Sequence, residues 1–513
     1  MSEPAALKTG MGGTGSPGVD AVEDLVNAGL ANFDNTGRLR PQLAEAVPSI
    51  ENGLWQLFPD GRMTTTWKIR PGAQWHDGAA FDANDVVFSA DVWRDAELPV
   101  RGDPAHAYID SIEAADGSTI VVRWKRPFVE ADTMFTSLRH LPIPRHLLLQ
   151  PYELDKAGFT QLPFWSTEFV GTGPYRLRDW QRGSHLILEA SDSYSLGRPK
   201  VDRIEVRFIS DAKTLMTNVL AGSVDLTLGR GLSLQQGLQV RDQWSNGHIE
   251  LAFAGWTGLY PQFLNPSPQV VSDTRFRRAL LHAIDRQEIV ETLMDGVVPV
   301  AHSYLNPSEP DYRAVEASVV RYDFDLRRAA QIIEDIGYAK GVDGMFRDAG
   351  SVPLSVEIRT TEDLATTLSI AGYWQRVGVA AEPLEIPAAR NRDREYRANY
   401  PGFELGGQPN DLWSLKHLHG SVARLPPDYS GRNRSRYQSP EFDALLDRFF
   451  VAIPPRERVQ ILGEILHHMS DQLNVLGIFY NTDVTMVGNT LRNVTAGHAT
   501  ATNAWNAEQW EVP

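Results

Sequence analysis

The stretch GWTGLYPQFLNPSP, residues 255–268, carries the side chains best suited to contact a small molecule. Trp256, Tyr260 and Phe263 are large and rigid, and rings of this kind suit stacking on a ligand. The glycines and prolines between them are typical of a segment that changes direction at a domain boundary. Each ring could equally be a core aromatic at such a boundary, so both roles stay open at this stage.

Known catalytic patterns are absent from the sequence. It has no HExxH, no P-loop and no Gly-x-Ser-x-Gly, so metalloprotease, NTPase and α/β-hydrolase chemistry lack their residues. It has no cysteine, which excludes disulfides, cysteine-based zinc sites and thiol catalysis. With 65 acidic residues, neighbouring carboxylates are expected on the surface without function. We predict no catalytic residue, and a hydrolase is the alternative from another functional class.

Two pairs of histidines have a spacing that could hold a transition metal. His417 and His419 are two residues apart, and His467 and His468 lie within a predicted helix. Imidazole pairs bind Ni²⁺ or Zn²⁺, but neither pair has a nearby third ligand of obvious identity. Hydrogen-bonded or solvated histidines are the simpler interpretation, so we predict no metal and no cofactor.

A glycine pattern near the N-terminus, Gly13-x-Gly15-x-x-Gly18, matches the spacing of a dinucleotide-binding fingerprint. A true fingerprint follows a well-formed apolar strand and opens a helix. Here the preceding strand is weak and a proline lies within the pattern. We interpret the segment as a loop that leads to a helix capped by Asp20, with Glu23 three residues later completing a capping box.

Length and charge limit the class of protein. A chain of 513 residues exceeds what one hydrophobic core usually serves, so two or three domains are expected. The formal net charge of −16 argues against a nucleic-acid partner, because phosphate binding needs a basic face. No apolar run approaches the roughly 20 residues of a membrane-spanning helix. The first ten residues also lack the basic-then-apolar pattern of a secretion signal.

The segment from residue 60 to residue 93 shows clear local structure. Met63, Trp67 and Ile69 alternate with polar residues, which predicts a half-buried strand. A Pro-Gly pair ends the strand, a second turn follows, and Asp82 is placed to cap a helix with apolar residues at helical spacing. The residue range 117–126 predicts a further strand entered from an Asp-Gly turn.

Helical periodicity dominates the second half of the chain. Asp273 is predicted to cap a helix, Asp285 and Glu288 to form a capping box, and Asp323 to open a helix that Gly337 ends. Three more helices are predicted at 363–377, 440–452 and 455–471. A buried strand is predicted from Val475 to Tyr480, and the last residues, 487–513, as a polar tail around short strands.

Five motifs in this order resemble those of the extracytoplasmic solute-binding proteins of family 5, which serve ABC importers of peptides, nickel and oligosaccharides. The motifs are WKIRPGAQWHDG with DANDVVF (67–88), GTGPY (171–175), FRRALLHAIDR (276–286), YD with IGY (322–338) and RYQSPEFD (436–443). They extend over most of the chain, and agreement at all five is not expected by chance.

The resemblance implies an α/β, two-lobed periplasmic-binding-protein fold of type II (cluster C), with an extra subdomain in the first lobe. We expect residues 1–47, 165–255 and 483–513 to form the core of lobe I, 48–164 the extra subdomain, and 256–482 lobe II. Lobe II would lie between two hinge crossings, near 255–268 and 474–486.

The resemblance also implies the function. The chain would capture a small ligand in an interlobe cleft by hinge closure and deliver it to an ABC importer. The alternative within binding is a receptor that signals without transport. The expected partners are a small-molecule ligand (a peptide, an opine-like compound or an oligosaccharide) and an ABC permease, with no nucleic acid, and the protein is expected to be a monomer. It would be periplasmic, or extracellular and membrane-anchored, and its export signal would be absent from this chain.

One further segment, FELGGQPNDLW at 403–413, lies where peptide-binding relatives carry an aspartate that pairs with the ligand's ammonium group. Asp411 is the matching candidate, with Asn410 beside it and Trp413 as a stacking neighbour. A turn aspartate is the structural alternative. The chain lacks the tryptophan that relatives have just before the acid and the Asp-Pro after it, so peptide specificity is not implied.

Overall fold

The computed structural model describes residues 2–11, 18–100, 103–229 and 231–513. The chain divides into two compact units: unit 1 is Met1–Ala252 with Asp483–Pro513, and unit 2 is Phe253–Thr482. The predicted lobe boundaries and the subdomain at 48–164 stay predictions. Gly13 and Gly15, the first two glycines of the fingerprint-like pattern, lie outside the described residues.

Unit 1 is an α/β unit. Its helices are α1 (Val19–Val26), α2 (Ala83–Arg94), α3 (Arg145–Leu154), α4 (Lys156–Phe159), α5 (Ala212–Leu220) and α6 (Leu234–Arg241). Its strands are β1 (Ala31–Phe33), β2 (Leu39–Pro41), β3 (Trp55–Leu57), β4 (Met63–Lys68), β5 (Ile109–Ala114), β6 (Thr119–Trp124), β7 (Tyr175–Gln181), β8 (His185–Ala190) and β9 (Arg203–Arg207). They form sheets in the orders β1-β2, β3-β4-β6-β5 and β7-β8-β9, each with antiparallel pairs.

The predicted strand and capped helix at 60–93 are confirmed as β4 and α2. Along β4 the buried positions alternate with partly exposed ones, as the spacing predicts. Asp82 accepts hydrogen bonds from the backbone N–H groups of Asn84 and Asp85, and the Asp85 side chain accepts one from the Asp82 N–H in return. This reciprocal pair is a capping box. The strand predicted at 117–126 is confirmed as β6.

The predicted cap of the first helix is wrong. Helix α1 begins at Val19 and its N-cap is Gly18, which has φ 90° and makes no side-chain cap. Glu23 does not form a capping box. Its carboxylate accepts a hydrogen bond from the Lys8 ammonium at 2.6 Å and another from the Thr9 backbone N–H at 2.8 Å. The Glu23 side chain, which the local pattern assigns to a capping box, therefore pairs with the buried Lys8 ammonium group.

The GTGPY motif packs against the end of α1. A Cβ atom on Gly171 would lie 2.0 Å from the Val26 carbonyl oxygen, and one on Gly173 would lie 2.5 Å from the Asn27 nitrogen, so this close approach requires glycine at both positions. Between the two glycines, the Thr172 hydroxyl lies 3.0 Å from Asn27 Oδ1.

His76 connects the first motif to this segment. Its Nε2 lies 2.9 Å from the Gly173 carbonyl oxygen, and its Nδ1 accepts a hydrogen bond from the Gly171 N–H at 3.3 Å. This pattern requires a neutral ring that carries its proton on Nε2. Burial, only partly offset by the bond to Gly173, lowers the pKa of His76 to about 4.

Unit 2 is built on a five-stranded mixed sheet. Its helices are α7 (Thr274–His282), α8 (Arg286–Leu293), α9 (Tyr312–Val315), α10 (Leu326–Asp335), α11 (Leu364–Val377), α12 (Arg394–Ala398), α13 (Pro440–Phe449) and α14 (Pro455–Gln472). Its strands include the short hairpin β11 (Ala339–Lys340) and β12 (Phe346–Arg347), then β13 (Ser355–Thr360), β14 (Ala380–Glu385) and β15 (Phe403–Gln408). Two long strands, β10 (Gly247–Pro261) and β16 (Leu476–Gly488), continue from one unit into the other.

The sheet order is β14-β13-β15-β10-β16. Strand β13 pairs in parallel with β14 and β15, and β15 pairs antiparallel with β10. The first part of the stretch 255–268, which is predicted as a hinge crossing, is regular strand as far as Pro261. The strand predicted from Val475 to Tyr480 runs further, to Gly488. Among the described residues, no helix combines the length and apolar character needed to cross a membrane.

Most helix caps in unit 2 agree with the sequence, with two differences. Asp273 caps α7, and Gly337 has φ 112° just after α10. Helix α10 is capped by Asp325, whose carboxylate accepts from the Arg328 N–H, and not by the predicted Asp323. Asp285 caps α8, but the Glu288 side chain accepts a hydrogen bond from the Tyr373 hydroxyl and forms no capping box. In the first case a second aspartate, Asp325, stands two residues after the predicted cap. In the second case the Glu288 carboxylate bonds to Tyr373 of another helix in place of its own helix end.

Candidate ligand-binding site

All six predicted binding residues lie in unit 2, and three of them are brought together by Tyr304, which the sequence did not single out. The rings of Trp256 and Tyr304 meet edge to face with centroids 5.4 Å apart. The Tyr304 hydroxyl lies 2.9 Å from the Asp411 carbonyl oxygen, and the Tyr304 carbonyl accepts a hydrogen bond from Asn410 Nδ2 at 2.9 Å. Tyr304 thus fixes the 409–411 loop beside the indole of Trp256.

Asp411 serves as the N-cap of a short 3-10 helix, Leu412–Leu418. One carboxylate oxygen accepts from the Ser414 N–H at 2.9 Å and the other from the Ser414 hydroxyl at 2.7 Å. The carboxylate therefore has a structural role in this structure. Its predicted role as the partner of a ligand ammonium group stays a prediction.

Phe263 and Trp413 are partly exposed and lie against other aromatic rings. Phe263 lies 4.8 Å from the ring of Tyr437, and the guanidinium of Arg277 lies 4.6 Å from the Phe263 ring centroid. Trp413 meets Phe450 edge to face at 5.8 Å.

Tyr260 belongs to a polar row that crosses three strands. It lies opposite Glu404 of β15, which in turn lies opposite Arg359 of β13. Residues in register on neighbouring strands share a face of the sheet, so the phenol, the carboxylate and the guanidinium project on the same side. Glu404 is 1% exposed, and its ion pair with Arg359 spans 3.5 Å.

Arginine side chains control the ionisation of this row. Burial alone would raise the pKa of Glu404, but hydrogen bonds from Arg397 and the positive charges of Arg434 and Arg359 hold it below its usual range. Burial raises the pKa of Tyr260 to about 12, although the charge of Arg434 opposes the shift. At neutral pH the row therefore presents an ionised carboxylate and a protonated phenol.

Three of the six predicted residues have a buried side-chain polar atom with no hydrogen-bond partner among the described residues. These atoms are Trp256 Nε1, Tyr260 OH and Asn410 Oδ1. Buried polar groups are nearly always hydrogen-bonded, because an unpaired one costs about 1–3 kcal/mol. The three atoms are an indole donor, a phenol and an amide acceptor, which are groups that can hydrogen-bond to a ligand.

The small cavity beside Trp256 is not large enough to be that site. It has a volume of about 20 Å³, and Arg286 and His302 are among its lining residues. A cavity of that size has room for about one water molecule. A ligand would therefore have to contact Trp256 from another side.

The histidine pairs have protein partners. His419 Nδ1 accepts from the Ser421 N–H at 3.0 Å, and His468 Nε2 lies 2.9 Å from the Tyr437 hydroxyl. Burial, with the charges of Arg432 and Lys416, lowers the pKa of His417 to about 4. Within the part of the chain that the structure describes, no group of three or more His, Asp or Glu side chains could hold a metal ion.

Sequence reasoning missed Tyr304 and the arginines around Glu404. Nothing in the local pattern marks Tyr304, which acts through its contacts with distant residues. The run GRNRSR at 431–436 was visible as a dense group of arginines, and its charge could have drawn attention in a chain of net charge −16. That the arginines meet one carboxylate depends on strand pairing, which one sequence does not reveal.

Comparison with known proteins identifies the family. The profile of the bacterial extracellular solute-binding proteins, family 5 (middle region), matches residues 38–418. A putative ABC transporter peptide-binding protein of Brucella ovis is 22% identical over 419 residues, which cover 79% of this chain and 73% of the relative. Protein XP55 of Streptomyces lividans is 28% identical over 476 residues, 90% of this chain and 79% of its own length.

A solved structure confirms the predicted fold class. NikA from Brucella suis, in complex with Fe(III)-EDTA, superposes with a TM-score of 0.76 at 19% identity, over 100% of this chain and 99% of NikA. At this identity the likeness shows the fold alone. Since the family profile covers about three quarters of the sequence, this chain belongs to the bacterial extracellular solute-binding proteins of family 5.

Proposed function

We propose that this protein captures a small solute outside the cytoplasm and delivers it to an ABC importer, whose permease is its membrane partner. The family match over residues 38–418 is the observation that carries the proposal. The solute would be peptide-like, opine-like or oligosaccharide-like. The protein would be periplasmic, or extracellular and anchored to the membrane.

We further propose that the solute contacts unit 2 at Trp256, Tyr260, Phe263, Asn410, Asp411 and Trp413. The support is chemical: three of these residues have buried polar atoms that lack partners among the described residues, and Phe263 and Trp413 offer partly exposed rings. Indole and phenol rings next to amide groups suit a ligand with apolar faces and several hydrogen-bonding groups.

Binding is favoured over the two alternatives. The Brucella relative is named as a binding protein, and the sequence has no catalytic motif to support a hydrolase. A receptor that signals without transport would bind its solute in the same way. Import of the solute by cells that produce the protein, with no import when the gene is deleted, would separate transport from signalling.

A thermal-shift panel tests the binding claim. Di- to pentapeptides, oligosaccharides, an opine and Ni²⁺ would each be added to the purified protein. A true ligand at a hundredfold excess over its Kd should raise the free energy of unfolding by about 2.7 kcal/mol through mass action. The bound compound should be recovered unchanged. Recovery of a chemically altered compound would instead support the alternative that the protein is a hydrolase.

Substitution of Asp411 tests the location of the site. Asn also caps helices well, so Asp411→Asn should leave the melting temperature nearly unchanged. If the carboxylate pairs with a buried ligand cation, affinity should fall by about 2–5 kcal/mol. Asp428→Asn, an exposed change in the same unit, is the control. Unchanged affinity in Asp411→Asn would assign the carboxylate to the cap alone, and Trp413→Ala would then test whether the indole contacts the ligand.

A further inference from the structure

Three arginine side chains of unit 2 form ion pairs with a single buried carboxylate, and a fourth arginine lies next to one of them. Three of them form ion pairs with Glu404: Arg397 at 2.5 Å, Arg359 at 3.5 Å and Arg434 at 3.9 Å. The fourth, Arg424, lies beside Arg434, because its backbone N–H donates to the carbonyl of Asn433, the residue before Arg434, at 3.4 Å. Burial and the charge of Arg434 lower the pKa of Arg424, and the charge of Glu404 offsets part of that shift. Positive charge therefore exceeds negative charge in a region largely shielded from water.

Two of these arginines are already committed to the fold. Arg359 donates to the backbone carbonyls of Tyr396 and Arg397 at 3.0 and 2.8 Å, and its side chain is 3% exposed. Arg397 makes the short hydrogen bond to Glu404. Arg359 and Arg397 together neutralise the Glu404 carboxylate. The positive charges of the other two guanidinium groups are therefore only weakly balanced by negative charge.

Arg434 and Arg424 have spare hydrogen-bonding capacity. Among the described residues, the polar contact of the Arg434 side chain is the long 3.9 Å pair with Glu404, and this side chain is 21% exposed. Arg424 donates from Nε to the Gly431 carbonyl at 3.2 Å, and no carboxylate of the described chain forms an ion pair with it. Guanidinium groups have five donors each, so most of theirs are unused.

The sheet makes room for the Arg434 guanidinium. Gly406 of β15 lies opposite Gly258 of β10, two residues from the Glu404–Tyr260 pair and therefore on the same face. A Cβ atom on Gly406 would lie 2.6 Å from Arg434 Nη1. The missing side chain thus allows the guanidinium to lie against the strand.

Tyr260 adds an independent indication of a ligand. It is 1% exposed, its hydroxyl has no partner among the described residues, and the Arg434 guanidinium lies 5.2 Å from its ring centroid. Its phenol stays protonated at neutral pH and can donate. Guanidinium groups beside an O–H donor are complementary to an oxygen-rich anion.

We propose that Arg424, Arg434 and the Tyr260 hydroxyl bind an oxyanion, namely a carboxylate or phosphate group of the solute. The inference rests on the proposed solute-binding function and names the charge of the group recognised in unit 2. It differs from the ammonium group expected at Asp411, and a zwitterionic solute could satisfy both.

Binding measurements on matched arginine variants test the proposal. Inorganic phosphate, citrate, a neutral trisaccharide and trilysine amide, which lacks the terminal carboxylate, would be titrated by calorimetry into the wild type, Arg434→Gln, Arg424→Gln and Arg432→Gln. Arg432 is exposed in the same segment and serves as the control. Phosphate or citrate should bind the wild type, each of the first two variants should lose affinity roughly thirtyfold or more, and the control should change less than about twofold.

Two further variants test the same site if a glutamine variant does not fold. Arg434→Lys retains the charge and should keep part of the affinity, whereas Tyr260→Phe removes only the hydroxyl and should weaken binding by roughly tenfold. A response to phosphate alone would indicate a phosphate group, and a response to citrate alone a polycarboxylate.

The outcomes separate the oxyanion from the general function. Equal anion binding by the wild type and both glutamine variants would overturn the oxyanion site. Binding of the trisaccharide or trilysine amide without anion binding would overturn it too, while solute binding would stand. A wild-type protein that binds no member of this panel or of the thermal-shift panel would contradict both proposals.

Discussion

A polar cluster around His76 and Thr172 in unit 1 and another at the sheet of unit 2 are hydrogen-bonded to very different degrees. Around His76 and Thr172, both imidazole nitrogens, the threonine hydroxyl and the Asn27 amide have partners. At the sheet of unit 2, Tyr260 and Asn410 have buried atoms without partners among the described residues. Both regions are buried, so exposure does not explain the difference.

The comparison teaches which residues identify the family and which are free to bind. The GTGPY and WHDG motifs are recognisable because their glycines and hydrogen bonds fix one packing arrangement. The polar atoms of His76 and Thr172 therefore have no capacity left for a ligand, although the buried hydroxyl of Tyr175, the last residue of GTGPY, has no partner among the described residues. Residues with unused donors and excess charge, such as Arg434, do have that capacity, and they need not lie in a recognisable motif.

The largest expected effect comes from Glu404→Gln. This change keeps the shape but leaves the surrounding guanidinium groups without their shared counter-charge, which should destabilise the protein by about 3–5 kcal/mol. Urea unfolding would measure the loss, with Glu385→Gln on the exposed side of β14 as the control. Saturating phosphate or citrate should restore part of the stability if the arginines bind anions. A loss no greater than that of the control would show that Glu404 is not the counter-charge of the cluster.

A smaller loss is expected from Thr172→Val. The change keeps the volume but removes the hydroxyl that contacts Asn27 Oδ1 and both the N–H and the carbonyl of Ala28, so three buried groups lose a partner. We expect about 2–3 kcal/mol of destabilisation with no change in ligand affinity. Thr217→Val on α5, an exposed position, is the control. Reduced affinity with unchanged stability would reverse the assignment of unit 1 motifs to structure.

The smallest effect concerns pH. The pKa of His76 is about 4 in the folded chain and lies near 6.5 when unfolded, so between these values the unfolded state binds the extra proton. The contribution of the neutral His76 ring to the free energy of unfolding is therefore complete above pH 6.5 and is lost as the pH falls toward 4. The loss between pH 7 and pH 5 should be up to about 2 kcal/mol.

Variants isolate this contribution from the other histidines. His76→Gln should be less stable at pH 7 but should lose less stability on acidification than the wild type does. His248→Gln, an exposed change, should show the wild-type slope. Equal slopes for His76→Gln and the wild type would mean that the ring is not held neutral in the folded state.

Much of the fold follows from local patterns, whereas the candidate site follows only in part. The alternation at Met63–Lys68 and the cap at Asp82 are decided within a few residues, and the structure has both. Asp20 was a plausible cap, but Glu23 pairs with Lys8, fifteen residues away. The prediction that Asp323 caps α10 was wrong because Asp325, two residues later, caps the helix instead.

The charge of the site depends on long-range pairing. Arg359 and Glu404 meet through the register of β13 and β15, and Arg434 reaches the carboxylate from the separate segment 431–436. A single sequence shows the arginines but not their shared carboxylate. The aromatic candidates Trp256 and Tyr260 were found from residue type, and their unpaired polar atoms became visible only with the packing around them.

Native mass spectrometry of the purified protein tests the central claim most directly. The wild type should retain, or take up from the panel, one small solute that is released unchanged on denaturation. That solute should carry a carboxylate or phosphate group, and its occupancy should fall in Arg434→Gln but not in Arg432→Gln. A wild-type spectrum with no bound solute under any condition, or a solute released in altered chemical form, would contradict the account.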